Sequence, residues 1–235
     1  MSQTNTNKGL EQLIPDYHLF DYGFYVFSQK EYHKINFSGG VRYDTRKIDA
    51  SSLKDGNLEK GLAFSNHFSN FSGSLGITYP LTPKLNFKLN LARAFRAPSI
   101  PELASNGAHE GTLRYEYGNQ KLKSELSTQV DAAVELNSEH FSFNLAGYLN
   151  RFDNFIFYKK LLTNSGLDST VDLNGTLLSA YQFDQQKANL AGIEITFDLH
   201  PHPLDWLHWQ NSFSWVWGRF DQFVDPDKVG SDRLP

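Results

Sequence analysis

The chain of 235 residues has no cysteine, and its one methionine is at position 1. Without cysteine there are no disulfides, no thiolate nucleophile and no Cys-based zinc or iron–sulfur site. No apolar run reaches the ~18 residues of a membrane-crossing helix, and mean hydropathy is −0.47. A helical membrane protein is thereby excluded. Excess positive charge is also missing: Lys plus Arg is 22, Asp plus Glu is 26, and the net charge is −4. A chain built to neutralise phosphates has the opposite balance, so no nucleic-acid partner is expected. The sequence carries no G-x-S-x-G, no P-loop, no G-x-G-x-x-G and no H-E-x-x-H, so no enzyme is expected. Residues 1–15 are polar and lack the apolar stretch of ~7–15 residues found in a secretory signal.

What is present is aromatic and periodic. Aromatics make up 14% of the chain, with 19 Phe, 11 Tyr and 4 Trp. Disordered chains are poor in such residues, so this one folds or belongs to something that folds. From Leu85 to Leu91 the odd positions read Leu, Phe, Leu, Leu and the even ones Asn, Lys, Asn. The same alternation runs through Ile35–Asp44, Phe71–Tyr79, Leu126–Leu136 and Ala191–Leu199. It is looser in Phe141–Leu149 and Leu207–Trp217, and blurred in His18–Gln29. Alternate side chains of a strand point to opposite faces, so each segment has one apolar and one polar face. The pattern predicts an all-β fold, an antiparallel meander of about eight long strands.

The connections alternate too. Short links sit near Gln29–His33, Pro80–Pro83, Asn137–His140 and His200–Pro203. Long ones run over Lys47–Ala63, Ala97–Lys123, Lys159–Leu177 and onward from Asp221. A meander with that rhythm puts tight turns at one end and long loops at the other. Soluble sandwiches use Greek-key crossovers instead. Transmembrane barrels combine short turns, long loops and ~10-residue strands with an apolar outer face. Glu139–Lys159 and Leu177–Leu199 offer up to about twenty residues each, more than the ~9–11 a bilayer needs. Tyr79, Leu204 and Trp206 fall at the short-turn end, and Tyr43, Phe95, Trp215 and Trp217 toward the long-loop end, where interfacial aromatic girdles belong. The rival reading is the aromatic core of a soluble β protein. Arg93 and Arg96 interrupt the apolar face and are expected to mark the outer boundary, because Arg is costly at mid-bilayer and nearly free at the interface. Pro98 and Pro101 are expected to end the ladder, since proline donates no hydrogen bond to it.

The segment Leu91–Leu103, LARAFRAPSIPEL, resembles a signature of TonB-dependent outer-membrane receptors. Ser105–Glu125, with G-N-x-x-L-K-x-E in register, is similar to the loop and strand entry that follow it. Phe37–Asp44, Phe141–Tyr158 and Ala191–Phe197 resemble further barrel strands of that family, and the likeness covers about Asp16 to Phe220. It implies a plugged transmembrane barrel of the 22-stranded type, of which this meander is one section of wall. The division expected is a polar segment 1–15 followed by a partial barrel 16–235. The plug, the box that docks TonB and the usual terminal aromatic are not found here, so the chain reads as an internal fragment. A complete small barrel is the rival.

The resemblance implies active uptake of a scarce nutrient such as a metal or metal chelate. The implied partners are a plug domain, the TonB complex, outer-membrane lipid and an extracellular small-molecule cargo. A passive porin and a soluble sugar-binding β protein remain as alternatives. The candidate cargo loop holds His109, Glu110, Arg114, Tyr115 and Glu116. His109 with Glu110 is half of a possible metal site, since imidazole plus carboxylate suits Zn²⁺; the alternative is a solvated loop. Arg114, Tyr115 and Glu116 either touch cargo or pack the loop on itself. His200 and His202 are a weaker metal candidate in a short turn. Arg42, Asp44, Lys88, Gln129, Asp131, Glu135 and Glu194 are expected to face the lumen and the plug. No bound cofactor is expected, because no ligand set in the sequence closes a coordination sphere.

Overall fold

The structure is a computed structural model that describes residues 1–8, 12–55, 58–204, 206–222 and 230–234. In chain order the strands are β1 (Ser2–Asn5), β2 (Tyr17–Tyr32), β3 (Ile35–Ala50), β4 (Leu53–Asp55), β5 (Leu58–Gly61), β6 (Phe64–Thr82) and β7 (Leu85–Arg96). One short helix, α1 (Ile100–Ala104), follows. Then come β8 (Asn106–His109), β9 (Arg114–Tyr117), β10 (Glu125–Asn137), β11 (Phe141–Lys160), β12 (Thr170–Leu173), β13 (Thr176–Leu199) and β14 (Trp209–Phe220). The eight long strands β2, β3, β6, β7, β10, β11, β13 and β14 pair antiparallel in sequence order, as the alternation predicts. β1 lines the edge of β2, and no pairing joins β2 to β14 among the described residues, so the wall is open.

The register carries the alternation across the whole wall. One row runs Phe37, Ile77, Leu89, Ala132, Gly147, Ile193, Trp215. The next row on the same face runs Gly39, Leu75, Leu91, Val130, Leu149, Ala191, Trp217. These side chains are exposed: Leu75 and Leu149 are each 67% accessible. A continuous apolar face of this extent is an aggregation liability in water and the required surface in lipid. One step further along, the row becomes Val41, Gly73, Arg93, Thr128, Arg151, Asn189, Arg219. The face therefore turns polar at Arg93 on β7, while β3 and β6 stay apolar one row higher, at Tyr43 and Phe71. The apolar band thus climbs diagonally across the strands, as it must when strands tilt through a flat bilayer.

Arg93 lies on the boundary of the apolar face as expected. Arg96 does not interrupt that face. It pairs in register with Glu125 and bonds Glu102 and Glu125, on the face opposite Phe95. Strand alternation explains the difference, because 93 and 96 have opposite parity. The ladder of β7 does end at Arg96, just before Pro98.

Long β11 and β13 stand beyond the band, with a register shift between Phe152 and Phe155. The long connection after β7 folds down onto this extension. Its helix α1 buries Ile100 and Leu103 against Leu19, Ile48, Leu122, Ile156 and Phe183. Leu19 pairs with Ile48, and Ile48 shares its strand face with Arg42 and Asp44. The loop core therefore sits over the polar face of the wall, and the apolar band is left uncovered. α1 starts at Ser99, whose backbone N–H donates to Glu102 Oε2 at 2.7 Å. That is half of a capping box, S-x-x-E, a helix-start signal present in the sequence and overlooked in the period-two reading.

Candidate functional site

The polar face is built from the alternate residues of the same strands. All seven residues expected on it share it: Arg42, Asp44, Lys88, Gln129, Asp131, Glu135 and Glu194. Arg42 Nε donates to Asp44 Oδ2 at 2.6 Å, and the second nitrogen bonds the other oxygen. Arg46 grips Asp21 in the same two-pronged manner, both bonds at 2.8 Å. Lys88 Nζ reaches Glu135 Oε1 at 2.6 Å. Asn90 and Gln129 both donate to Asp131, and Asn150 donates to Gln129 at 2.9 Å. Glu194 lies opposite Ala146 and Ser214, exposed and with no ion pair among the described residues. Such solvent-screened pairs add little to stability. Their larger effect is to keep one face wet and charged beside an apolar one.

Asp21, Arg42, Asp44, Arg46 and Arg96 line a hollow of 590 Å³ on this face. Gly23 is what leaves space there. A Cβ on it would overlap the Asp44 carboxylate and come within 3.0 Å of the Arg42 guanidinium.

The cargo-loop candidates divide. Arg114–Tyr117 adds in parallel to the outer part of β13, Ser179–Gln182. Glu116 is buried, 2% accessible, and accepts a hydrogen bond from the Tyr158 hydroxyl at 3.1 Å. Arg114 stands 3.7 Å from Glu116 and stacks over the rings of Tyr158 and Tyr181 at 5.1 and 5.5 Å. Tyr115 is buried and donates to Asn106 Oδ1 at 2.9 Å. Tyr115 packs the loop on itself, while Arg114 and Glu116 dock it against Tyr158 of β11 and Tyr181 of β13. Burial, followed by the charge of Glu116 and the hydrogen bond to it, pushes the Tyr158 phenol up to about 12; Arg114 opposes the rise. Gly118 lets the loop close, because a Cβ there would lie 2.6 Å from the Leu103 carbonyl carbon and 2.7 Å from its oxygen.

His109 stays outside that cluster. It is exposed at the end of β8, with Nδ1 3.2 Å from Thr112 Oγ1. Glu110 opens a single turn of 3-10 helix, and its side chain lies outside the described residues. The imidazoles that do gather are at the opposite end. The turn before β11 and the connection between β13 and β14 bring His140, His200, His202 and His208 together. Asp198, His200 and His208 each offer a ligand atom within 4.8 Å of the others. The sequence reading noticed His200 and His202 but not Asp198 or His208. The H-P-H run is local and visible, whereas the strand parity that aims Asp198 at the turn and the return of the chain at His208 are not.

A tall antiparallel wall, apolar on one face, charged on the other, with tight turns below and a folded loop above, defines the wall of an outer-membrane type of β-barrel. The comparisons with known proteins make this specific. The family described as TonB dependent receptor-like, beta-barrel matches residues 2–235, and this chain belongs to it. The TonB-dependent heme receptor A of Haemophilus ducreyi is 27% identical over 150 residues, 62% of this chain and 20% of the relative. The ferric enterobactin receptor of Pseudomonas aeruginosa is 28% identical over 178 residues, 68% of this chain and 22% of the relative. The chain thus spans about a fifth of the length of these curated relatives. Among solved structures, the copper transporter OprC superposes with a TM-score of 0.66 at 18% identity, covering 88% of this chain and 29% of that one. The Serratia marcescens hemophore receptor HasR, solved with its hemophore HasA and heme, gives 0.64 at 14% identity, covering 93% and 36%.

Proposed function

We propose that this chain is wall of an outer-membrane receptor that takes up a scarce metal or metal chelate, energised through TonB. The family match over residues 2–235 carries this reading. The chemistry of the wall supports it. The apolar band meets outer-membrane lipid, and the charged face lines a wet lumen where Arg42, Asp44, Lys88, Gln129, Asp131, Glu135 and Glu194 meet the plug domain. Paired charges suit that role. A plug that shifts during transport slides more easily over ions neutralised by neighbours, as in Arg42–Asp44 and Lys88–Glu135, since stripping unpaired charges of water is costly. The relatives named for heme, a ferric siderophore and copper all carry metal-bearing cargo, which is the basis for the cargo class. Arg114, Tyr115 and Glu116 shape the outer loop from within, and His109 is the residue of that loop placed to meet cargo.

Uptake by cells making the full gene product tests this. Radiolabelled ferric chelate, heme and copper would be supplied with and without a functional TonB complex. Energy-dependent accumulation of one of them, lost without TonB, is the expected result. Equal, non-saturating entry in both strains would make the protein a passive pore and overturn the reading.

A further inference from the structure

At the short-turn end an imidazole nitrogen and a carboxylate oxygen face each other. His200 Nε2 donates its proton to the backbone carbonyl of Glu139 at 2.7 Å. In the neutral ring this leaves Nδ1 without a proton. Nδ1 points at Asp198 Oδ1, 3.8 Å away. Both atoms are buried, and neither has a hydrogen-bond partner among the described residues. Two buried acceptors opposed in this way repel, and leaving them unsatisfied is costly. A cation between them removes both problems.

We propose that Asp198, His200 and His208 form a binding site for a borderline divalent transition-metal ion, of which Zn²⁺ is the probe. Two imidazoles and one carboxylate suit Zn²⁺, Cu²⁺ or Ni²⁺ and disfavour the all-oxygen ions Ca²⁺ and Mg²⁺. With metal–ligand bonds of ~2.0–2.2 Å, two ligands of a tetrahedral ion stand about 3.4 Å apart. The Asp198–His200 spacing of 3.8 Å is close to that. The three ligand atoms lie within 4.8 Å of one another. His208 is exposed and stacks on His200 with ring centroids 5.5 Å apart, so rotation of its side chain closes the set. The bond from His200 to the Glu139 carbonyl is the outer contact that fixes the tautomer of a metal-binding histidine. His140 and His202, with centroids 4.5 Å apart, flank the site. The β10–β11 turn and the β13–β14 connection are already joined by the His200 amide, which donates to the His140 carbonyl at 3.0 Å. The ion clasps Asp198, at the end of β13, to two points of the connection that leads into β14. The inference does not depend on the cargo or on transport.

The test uses the full gene product, purified in detergent, stripped with a chelator and titrated with ZnCl₂ by calorimetry and with Co²⁺ by visible absorption. Wild type is expected to show a saturable site with the d–d bands of a nitrogen- and oxygen-ligated Co²⁺. Replacing Asp198→Asn is expected to weaken it at least about tenfold, by analogy with lost metal-site contacts, and His200→Ala to abolish it. His208→Ala, at an exposed ring, keeps the test open if either of those misfolds, and is also expected to weaken binding. His18→Ala, an exposed histidine of β2 at the opposite end of the wall, is the control and should leave the site unchanged. Zinc stoichiometry and Co²⁺ spectra identical in wild type, Asp198→Asn and His208→Ala would overturn the proposal. Absence of any saturable site would do the same.

Discussion

The two ends of the wall treat their polar groups in opposite ways. At the long-loop end Glu116 is almost wholly buried, yet Tyr158 donates to it and Arg114 stands beside it. At the short-turn end Asp198 Oδ1 and His200 Nδ1 are buried and unanswered. A buried carboxylate with its partners in place is an element of structure, and its neighbours are rigid because of it. A part-exposed carboxylate and imidazole whose facing atoms are buried and have no partner among the described residues are open to a ligand. The sequence reading set its main metal hypothesis at the loop, where His109 and Glu110 are adjacent. The imidazoles at the other end are brought together by the end of β13 and the connection that follows it.

The largest effect is expected on the wall that joins the ends. Leu89 faces outward in the row of Ile77 and Ala132, midway along the apolar stretch of β7, so Leu89→Arg is expected to destabilise the barrel in lipid by ~2–4 kcal/mol. Its neighbour Asn90 lies on the charged face, so Asn90→Arg should cost far less. Denaturant titration of the full gene product in vesicles measures both. Equal losses would remove the distinction between the faces.

At the long-loop end, Gly118→Ala drives a methyl into the backbone of Leu103 and Ala104. Overpacking of this kind costs ~1–3 kcal/mol. The loop over residues 97–123 should undock while the strands hold, read as fast hydrogen exchange and early proteolysis confined to that loop. Unchanged protection would mean the loop is not held by α1. A smaller loss of ~1–2 kcal/mol is expected for Tyr158→Phe, which leaves buried Glu116 with Arg114 alone.

A pH scan sharpens the same comparison with the least perturbation. The folded phenol of Tyr158 titrates at about 12, above its ordinary value of 10.0. The folded state therefore holds that proton more tightly than the unfolded one. The linked stability is fully present below about pH 10 and is lost as pH rises through the folded value. Loop protection should fall over that window in wild type and show a smaller dependence in Tyr158→Phe. An identical fall in both proteins would place the titrating group elsewhere.

Much of the wall was legible in the sequence because strand alternation needs no long-range information. Leu85–Leu91 announces its two faces by itself, and the register merely aligns them with Ile77 and Ala132. The charged face was legible for the same reason. Arg96 faces away from the apolar band because its parity is opposite to that of Arg93, which the closeness of the two arginines conceals. The helix at Ile100–Ala104 was missed although Ser99 and Glu102 spell a cap, because five residues give too little period to detect. Burial of Glu116 depends on β9 meeting β11 and β13 far along the chain, and the gathering of Asp198, His200 and His208 on how the connection after β13 folds back, neither of which a period-two pattern encodes.

The account rests on one face meeting lipid and the other water. The absence of native cysteine in this chain makes that directly measurable here, with single cysteines placed at successive positions from Leu85 to Leu91 on β7. Spin labels on each, in the full gene product in bilayers, would be exposed to oxygen and to a water-soluble nickel chelate. The account predicts strict alternation: Leu89 and Leu91 relaxed by oxygen, Lys88 and Asn90 by nickel. Nickel access at every position, with no period of two, would contradict it and return the chain to the soluble β proteins.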